Sequence, residues 1–154
     1  MKLGIKKIHE NEWQVHVGCA MVRLDRFSLE LLNITLEHLE ALENGESHSM
    51  LASYTHLAEQ VLQLSPANLQ VLLRSVANED ILRLIQTAQN DQLTEMVLAN
   101  VGGILSKQLQ ADIEKSVMPG AEEVMGSVRR VIEKMFELED QGTIEFKKDN
   151  QRYI

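Results

Sequence analysis

The spacing of hydrophobic positions changes twice along the chain. From Leu3 to Leu24 they alternate with polar ones: Leu3, Ile5 and Ile8 precede "ENE", Trp13, Val15 and Val17 share one face, and Ala20, Val22 and Leu24 follow Gly18. A period of two with tight turns between the runs predicts two or three short strands. From Asp25 the period becomes helical. Phe27, Leu31, Leu32, Leu36, Leu39 and Leu42 recur at three and four residues, predicting a helix of about five turns stopped by the Gly of "ENGES".

A second amphipathic helix follows on Leu51, Tyr54, Leu57, Ala58, Val61 and Leu62, closed by "LSPAN", with Ser65 as cap and Pro66 as the first residue of the next helix. Four short helical units come next: "PANLQVLLRSV", "NEDILRLIQTAQ", "NDQLTEMVLANV" and "GILSKQLQADIEKS". Asn78 and Asn90 are expected as N-caps, each just ahead of an acidic residue. Each unit has about three turns and one apolar stripe, too little to stand alone, so the stripes must cover one another as in an α-solenoid. After "VMPGAEEV", Val124, Val128, Val131, Ile132, Met135, Phe136 and Leu138 predict a long last helix ending at Gly142. "TIEFKKDNQRYI" reads as an extended end expected to add a strand to the N-terminal ones. The predicted fold is mainly α, an armadillo-like helical stack with a small N-terminal β-hairpin element. Residues 1–60 and 61–154 are expected to pack as one compact unit.

Composition narrows the function. Aromatic residues make up only 4% of the chain, which favours an aliphatic core. Seven methionines, including Met96, Met118, Met125 and Met135, are expected as core filler. A net charge of −8 argues against a nucleic-acid backbone or an anionic membrane as partner, because both select a basic face. No run approaches the roughly 20 apolar residues of a membrane span, so no direct membrane insertion is expected. Cys19 is the single cysteine, which excludes an internal disulfide and fits a reducing, cytoplasmic location. Within "VGCAMV" it is expected to pack as a small hydrophobe.

The residues offer little chemistry. His9, His16, His38, His48 and His56 have no pair at the i, i+4 spacing of a helical metal site, and Gly102 and Gly103 lack the strand and the Lys-Ser or Lys-Thr of a phosphate loop. They read as a helix break. The acidic residues of "LEHLEALENGE" and "ELED" oppose leucines and read as solvated faces. No catalytic residue, metal or cofactor is expected.

The order of motifs from about Leu62 to Phe146 resembles the C-terminal domain of the bacterial flagellar motor switch protein FliG. "LQVLLRSV" is similar to that family's Leu-Leu-Arg-Glu-Val helix, "EMVLANV" to its Phe-x-Asn-Met segment, and "LQADIEKSVMPGAEEV" to its Leu-x-x-Asp-Ile-Glu, Gly-Pro-Val, Val-Glu succession. "VIEKMFELEDQGTIEF" resembles its closing helix ending in Glu-x-Gly-Glu-Ile. The resemblance implies an all-helical, non-enzymatic domain that packs on other switch subunits and offers surface charge to the stator. Several of those charges are missing here. Gln86 and Ile104 stand where the family has basic residues, Ala111 replaces one of two acids and leaves Asp112, and "PGAEE" lacks the Arg expected after the turn.

An exposed ion pair contributes only about 0.2 to 1 kcal/mol, so a contact made by charge needs several together. The expectation is therefore a protein-interaction module that keeps the scaffold without the stator contact. Its partner is expected to be a flagellar switch or other membrane-machine protein, with Asn100, Lys107, Asp112 and Glu114 as the interaction residues. Homo-oligomerisation is a further expectation, because open-ended stacks leave apolar ends to cover. The alternative is a regulatory or small-molecule-binding domain sharing only the helical fold, as in cytoplasmic domains of magnesium transporters, with a site lined by His16, Arg23 or Asp25.

Overall fold

A computed structural model describes residues 1–38, 43–45 and 49–146. The chain divides into two compact units, residues 1–53 and 54–154. It is mainly α, with a three-stranded antiparallel sheet at its N-terminus.

In the first unit, β1 (Leu3–His9), β2 (Glu12–Val17) and β3 (Ala20–Asp25) pair in sequence order. Each connection is two residues long, Glu10–Asn11 and then Gly18–Cys19. Gly18 has φ +63°, the left-handed start that a tight hairpin turn of this kind asks of its first residue. Register places Leu3, Val17 and Ala20 across from one another, then Ile5, Val15 and Val22, then Lys7, Trp13 and Leu24. All nine therefore share one face, because opposed residues in a sheet point the same way. Helix α1 (Arg26–Glu37) starts directly after β3, capped by the Asp25 carboxylate, which accepts from the Ser28 amide at 2.8 Å. Phe27 and Ile34 are its buried residues. Leu39, Leu42 and His48 lie outside the described residues, so the last turns of the predicted five-turn helix do too.

Helix α2 (Met50–Glu59) bridges the boundary at residue 53 and runs into a 3-10 turn, Gln60–Gln63. The second unit continues with α3 (Pro66–Ser75), α4 (Asn78–Ala88), α5 (Asp91–Asn100), α6 (Gly103–Lys115) and α7 (Ala121–Asp140). The predicted punctuation recurs here. Ser65 accepts from the Asn68 amide with Pro66 in the first turn, Asn90 accepts from the Leu93 amide, and Gly102 and Gly103 separate α5 from α6. Helix α7 is the centre of this unit. Its seven predicted apolar positions, Val124 to Leu138, are all buried, and it packs on α3 and α4. Gly142, at φ +72°, turns the chain out of the helix. By the usual area rule each fully buried aliphatic side chain stabilises the fold by about 1.5–3 kcal/mol; the scarcity of aromatics means many such residues share the load.

Four expectations are corrected. Cys19 is exposed, because it occupies the hairpin turn rather than a strand. The N-cap of α4 is Ala77, with Asn78 already inside the helix. Of the four methionines named as core, Met135 is fully buried, Met96 and Met125 are half-buried, and Met118 is exposed. The chain's closing segment, as far as Phe146, does not join the N-terminal sheet. Phe146 forms a single antiparallel bridge with Leu64, supported by the Asn68 side-chain Nδ2 donating to the Glu145 carbonyl at 2.9 Å and by an edge-on contact with Phe136. Leu64 directly precedes Ser65, the cap of α3, and its own N–H donates to the Val61 carbonyl.

Candidate functional site

On α6, residues Leu105, Gln108, Leu109 and Asp112 are spaced at three and four, so they form one stripe. That stripe faces Asn78, Glu79, Leu82 and Arg83 of α4 across a cleft of about 270 Å³, closed at one end by Ser116. Leu82 and Leu109 are buried in its floor. The volume lies just below the roughly 300–1,000 Å³ of small-molecule pockets and suits one or two side chains of a partner.

Arg83 gives the cleft its polar character. Its side chain is mostly buried, and its guanidinium lies 3.8 Å from Glu79 and donates to Gln86 Oε1 at 2.8 Å. Gln86 in turn donates to the Ser116 carbonyl at 3.4 Å, which links α4 to the end of α6. Gln86, where the resemblance implies a basic residue, here connects the two walls. Arg83 Nε is buried without a hydrogen-bond partner. Leaving a buried donor unpaired is costly, so burial of this arginine is tolerated through its other bonds.

The four expected interaction residues separate. Asp112 lines the cleft. Lys107 and Glu114 are exposed on a different stripe of α6, the one that also carries Ile104 and Ala111. Ile104 is 90% exposed. Asn100 is elsewhere: its amide donates to the Met96 carbonyl at 2.7 Å and accepts from Gln70 at 3.2 Å, tying α5 to α3. Glu79, Leu82, Arg83, Leu105 and Gln108 were missed as site residues. The α6 spacing was legible, but nothing in α4 announces that Arg83 turns inward beside Leu82.

The residues of the alternative reading have structural work. Asp25 caps α1, Arg23 lies 3.6 Å from Glu12, and His16 is exposed on β2. Among the described residues no three His, Cys, Asp or Glu side chains are grouped to hold a metal ion, and no helix is long and apolar enough to cross a membrane.

A family model, the FliG C-terminal domain, matches residues 40–146. The chain belongs to that family. The match confirms the resemblance seen from Leu62 and extends it upstream to residue 40, leaving the sheet and α1 outside. No curated protein and no solved structure matches the chain. The FliG C-terminal domain is a non-catalytic module of the motor switch, so membership implies interaction with flagellar motor components. The α4–α6 cleft lies wholly within the matched residues.

Proposed function

We propose that this FliG-type chain is a non-enzymatic, cytoplasmic protein-interaction module, a motility accessory or assembly protein that binds a flagellar switch component without engaging the stator. The observation that carries the reading is the state of α6. Its apolar residues keep helical spacing and a cleft lies beside it, while Ile104 and Ala111 stand where the resemblance implies charge. A contact made through charge loses its basis there, and one made by inserting an apolar side chain against Leu82 and Leu105 keeps it. Asp112, opposite Arg83, gives such a segment polar anchors at the cleft wall. The pairwise packing of α3 on α5, α4 on α5 and α6, and α5 on α6 supports an armadillo-like stack.

The test is crosslinking in cells through a photoreactive residue placed at Leu105, compared with one at Glu133 on the exposed side of α7. The expected product is a flagellar switch protein captured from position 105 and not from 133. Recovery of no flagellar protein at either position would overturn the assignment.

A further inference from the structure

Strand β1 forms one edge of the sheet, with β2 as its partner strand. The Gly18 amide donates to the Lys2 carbonyl at 2.7 Å, one step beyond the Leu3–Val17 pair. Bonded and non-bonded pairs alternate along an antiparallel ladder. Lys2, Gly4 and Lys6 therefore direct their backbone groups to β2, whereas Leu3, Ile5 and Lys7 point their N–H and C=O groups outward from the sheet. The other edge strand, β3, runs directly into α1, which packs against it, and its one cation, Arg23, lies 3.6 Å from Glu12.

The two sides of β1 have opposite chemistry. Leu3 and Ile5, 74% and 60% exposed, lie on the apolar face in register with Val17 and Val15. Lys7 ends that row, its Nζ 5.5 Å from the centre of the Trp13 ring. Lys2 and Lys6 alternate onto the other face, and both are exposed. The carboxylates of that face, Glu12 and Asp25, belong to β2 and β3, where Glu12 meets Arg23 and Asp25 caps α1. From Lys2 to His9 the edge carries no carboxylate of its own.

We propose that this edge binds an extended segment of a partner protein in which acidic and apolar residues alternate, added to the sheet as a further strand beside β1. Such a strand takes its backbone bonds from Leu3, Ile5 and Lys7, and residues opposed across a ladder lie on the same face. Opposite Ile5 and Leu3 it places apolar side chains, and opposite Lys6 and Lys2 it places carboxylates, each pair close enough to interact. Read along an antiparallel partner, the motif is acid, apolar, any residue, apolar, acid. Backbone bonds give the affinity and the alternation gives the selectivity. A second β1 suits the place poorly, because edge lysines oppose pairing with a like edge and β1 brings no carboxylate to answer them. The sheet lies outside both the family match and the α4–α6 cleft, so this contact stands apart from the function proposed above.

Amide hydrogen exchange, read by NMR on the isotope-labelled full chain, tests this with the peptide acetyl-Ser-Glu-Val-Thr-Ile-Glu-Ser-amide. The expected result is slowed exchange at Leu3, Ile5 and Lys7, whose amides are open, with little change at Gly4 and Lys6, whose amides already bond to β2. Lys2→Glu/Lys6→Glu should weaken binding by about tenfold and should prefer a peptide with Lys in place of both Glu residues. If circular dichroism shows that variant to be misfolded, Lys6→Gln replaces it and should weaken binding in the same direction by less. A peptide of the same composition with its core reordered to Val-Ile-Glu-Glu-Thr should give no protection. Absence of protection at millimolar peptide overturns the proposal, as does equal protection by the reordered peptide or protection confined to β3. Protection that rises with protein concentration without peptide overturns it in favour of a second copy. Protection by phosphatidylglycerol vesicles and not by peptide overturns it in favour of a membrane surface.

Discussion

Asp80, in the first turn of α4, and Arg130, in the middle of α7, meet as a bidentate pair. Arg130 Nη2 donates to one carboxylate oxygen at 2.7 Å and Nε to the other at 3.0 Å, while Nη2 also reaches Ser127 Oγ at 3.0 Å. Asp80 is buried and Arg130 is 60% exposed, so one partner is desolvated and the other remains in water. The pair joins the helix that forms one wall of the cleft to the helix that forms the core of the unit. It also places a carboxylate at a helix N-terminus, where the backbone dipole favours it.

This pair predicts a specific acid response. The hydrogen bond from Arg130, aided by Ser127, holds the Asp80 carboxyl below its ordinary value of 3.8 despite burial. A carboxyl depressed in the fold stabilises the protein fully above the unfolded value and loses that contribution as pH falls through the folded one. Asp80→Asn should therefore lower stability at neutral pH and show a shallower decline below about pH 4, so that the two unfolding curves converge in acid. Arg130→Met should cost about 1–2 kcal/mol at pH 7, less than a fully buried pair because water screens the guanidinium. Urea unfolding at a series of pH values measures both.

Helix caps separate the observed geometry from the pattern. Ser65→Ala and Asn90→Ala each remove a side-chain acceptor for a first-turn amide and should cost about 1 kcal/mol. Asn78→Ala should leave stability within about 0.5 kcal/mol, because Asn78 is inside α4 and makes no cap. Thermal or chemical denaturation of the three variants decides the matter.

These cases show what the residues made legible. Helix periods, the Pro66 start and the Gly142 stop depend on neighbours within a turn or two, so local reading finds them. The buried stripe of α7 was readable for the same reason. Cys19 was misplaced because alternation locates strands more surely than the two-residue turns between them. The Leu64–Phe146 bridge joins residues 82 positions apart, and no local pattern encodes its partner. The site was half legible: Asp112 was anticipated on α6, but Arg83, on the other wall, owes its inward position to contacts with Glu79 and Gln86.

Gln89 ends α4 in the left-handed conformation, with φ +46°. A side chain there is strained, and glycine is the residue such a helix end favours. Gln89→Gly should raise stability by roughly 0.5 kcal/mol, the relief of strain exceeding the added freedom of the unfolded chain. A fall in the denaturation midpoint would show that the Gln89 side chain contributes packing that outweighs its strain.

Leu109 and Ile104 occupy one helix and have opposite environments. Leu109 is buried between α6 and α4 at the floor of the cleft, so Leu109→Ala should cost about 2–5 kcal/mol and loosen the wall that carries Asp112. Ile104 projects into solvent, and Ile104→Arg, which places a charge where the resembled family has one, should change stability by no more than about 0.5 kcal/mol. If α6 binds its partner through apolar contact, that stable variant should nevertheless bind the captured switch protein more weakly. Circular dichroism melts and binding measured on the same preparations separate the two effects. An Ile104→Arg chain that folds normally and binds as well as wild type would remove Ile104 from the interface and confine the contact to the cleft.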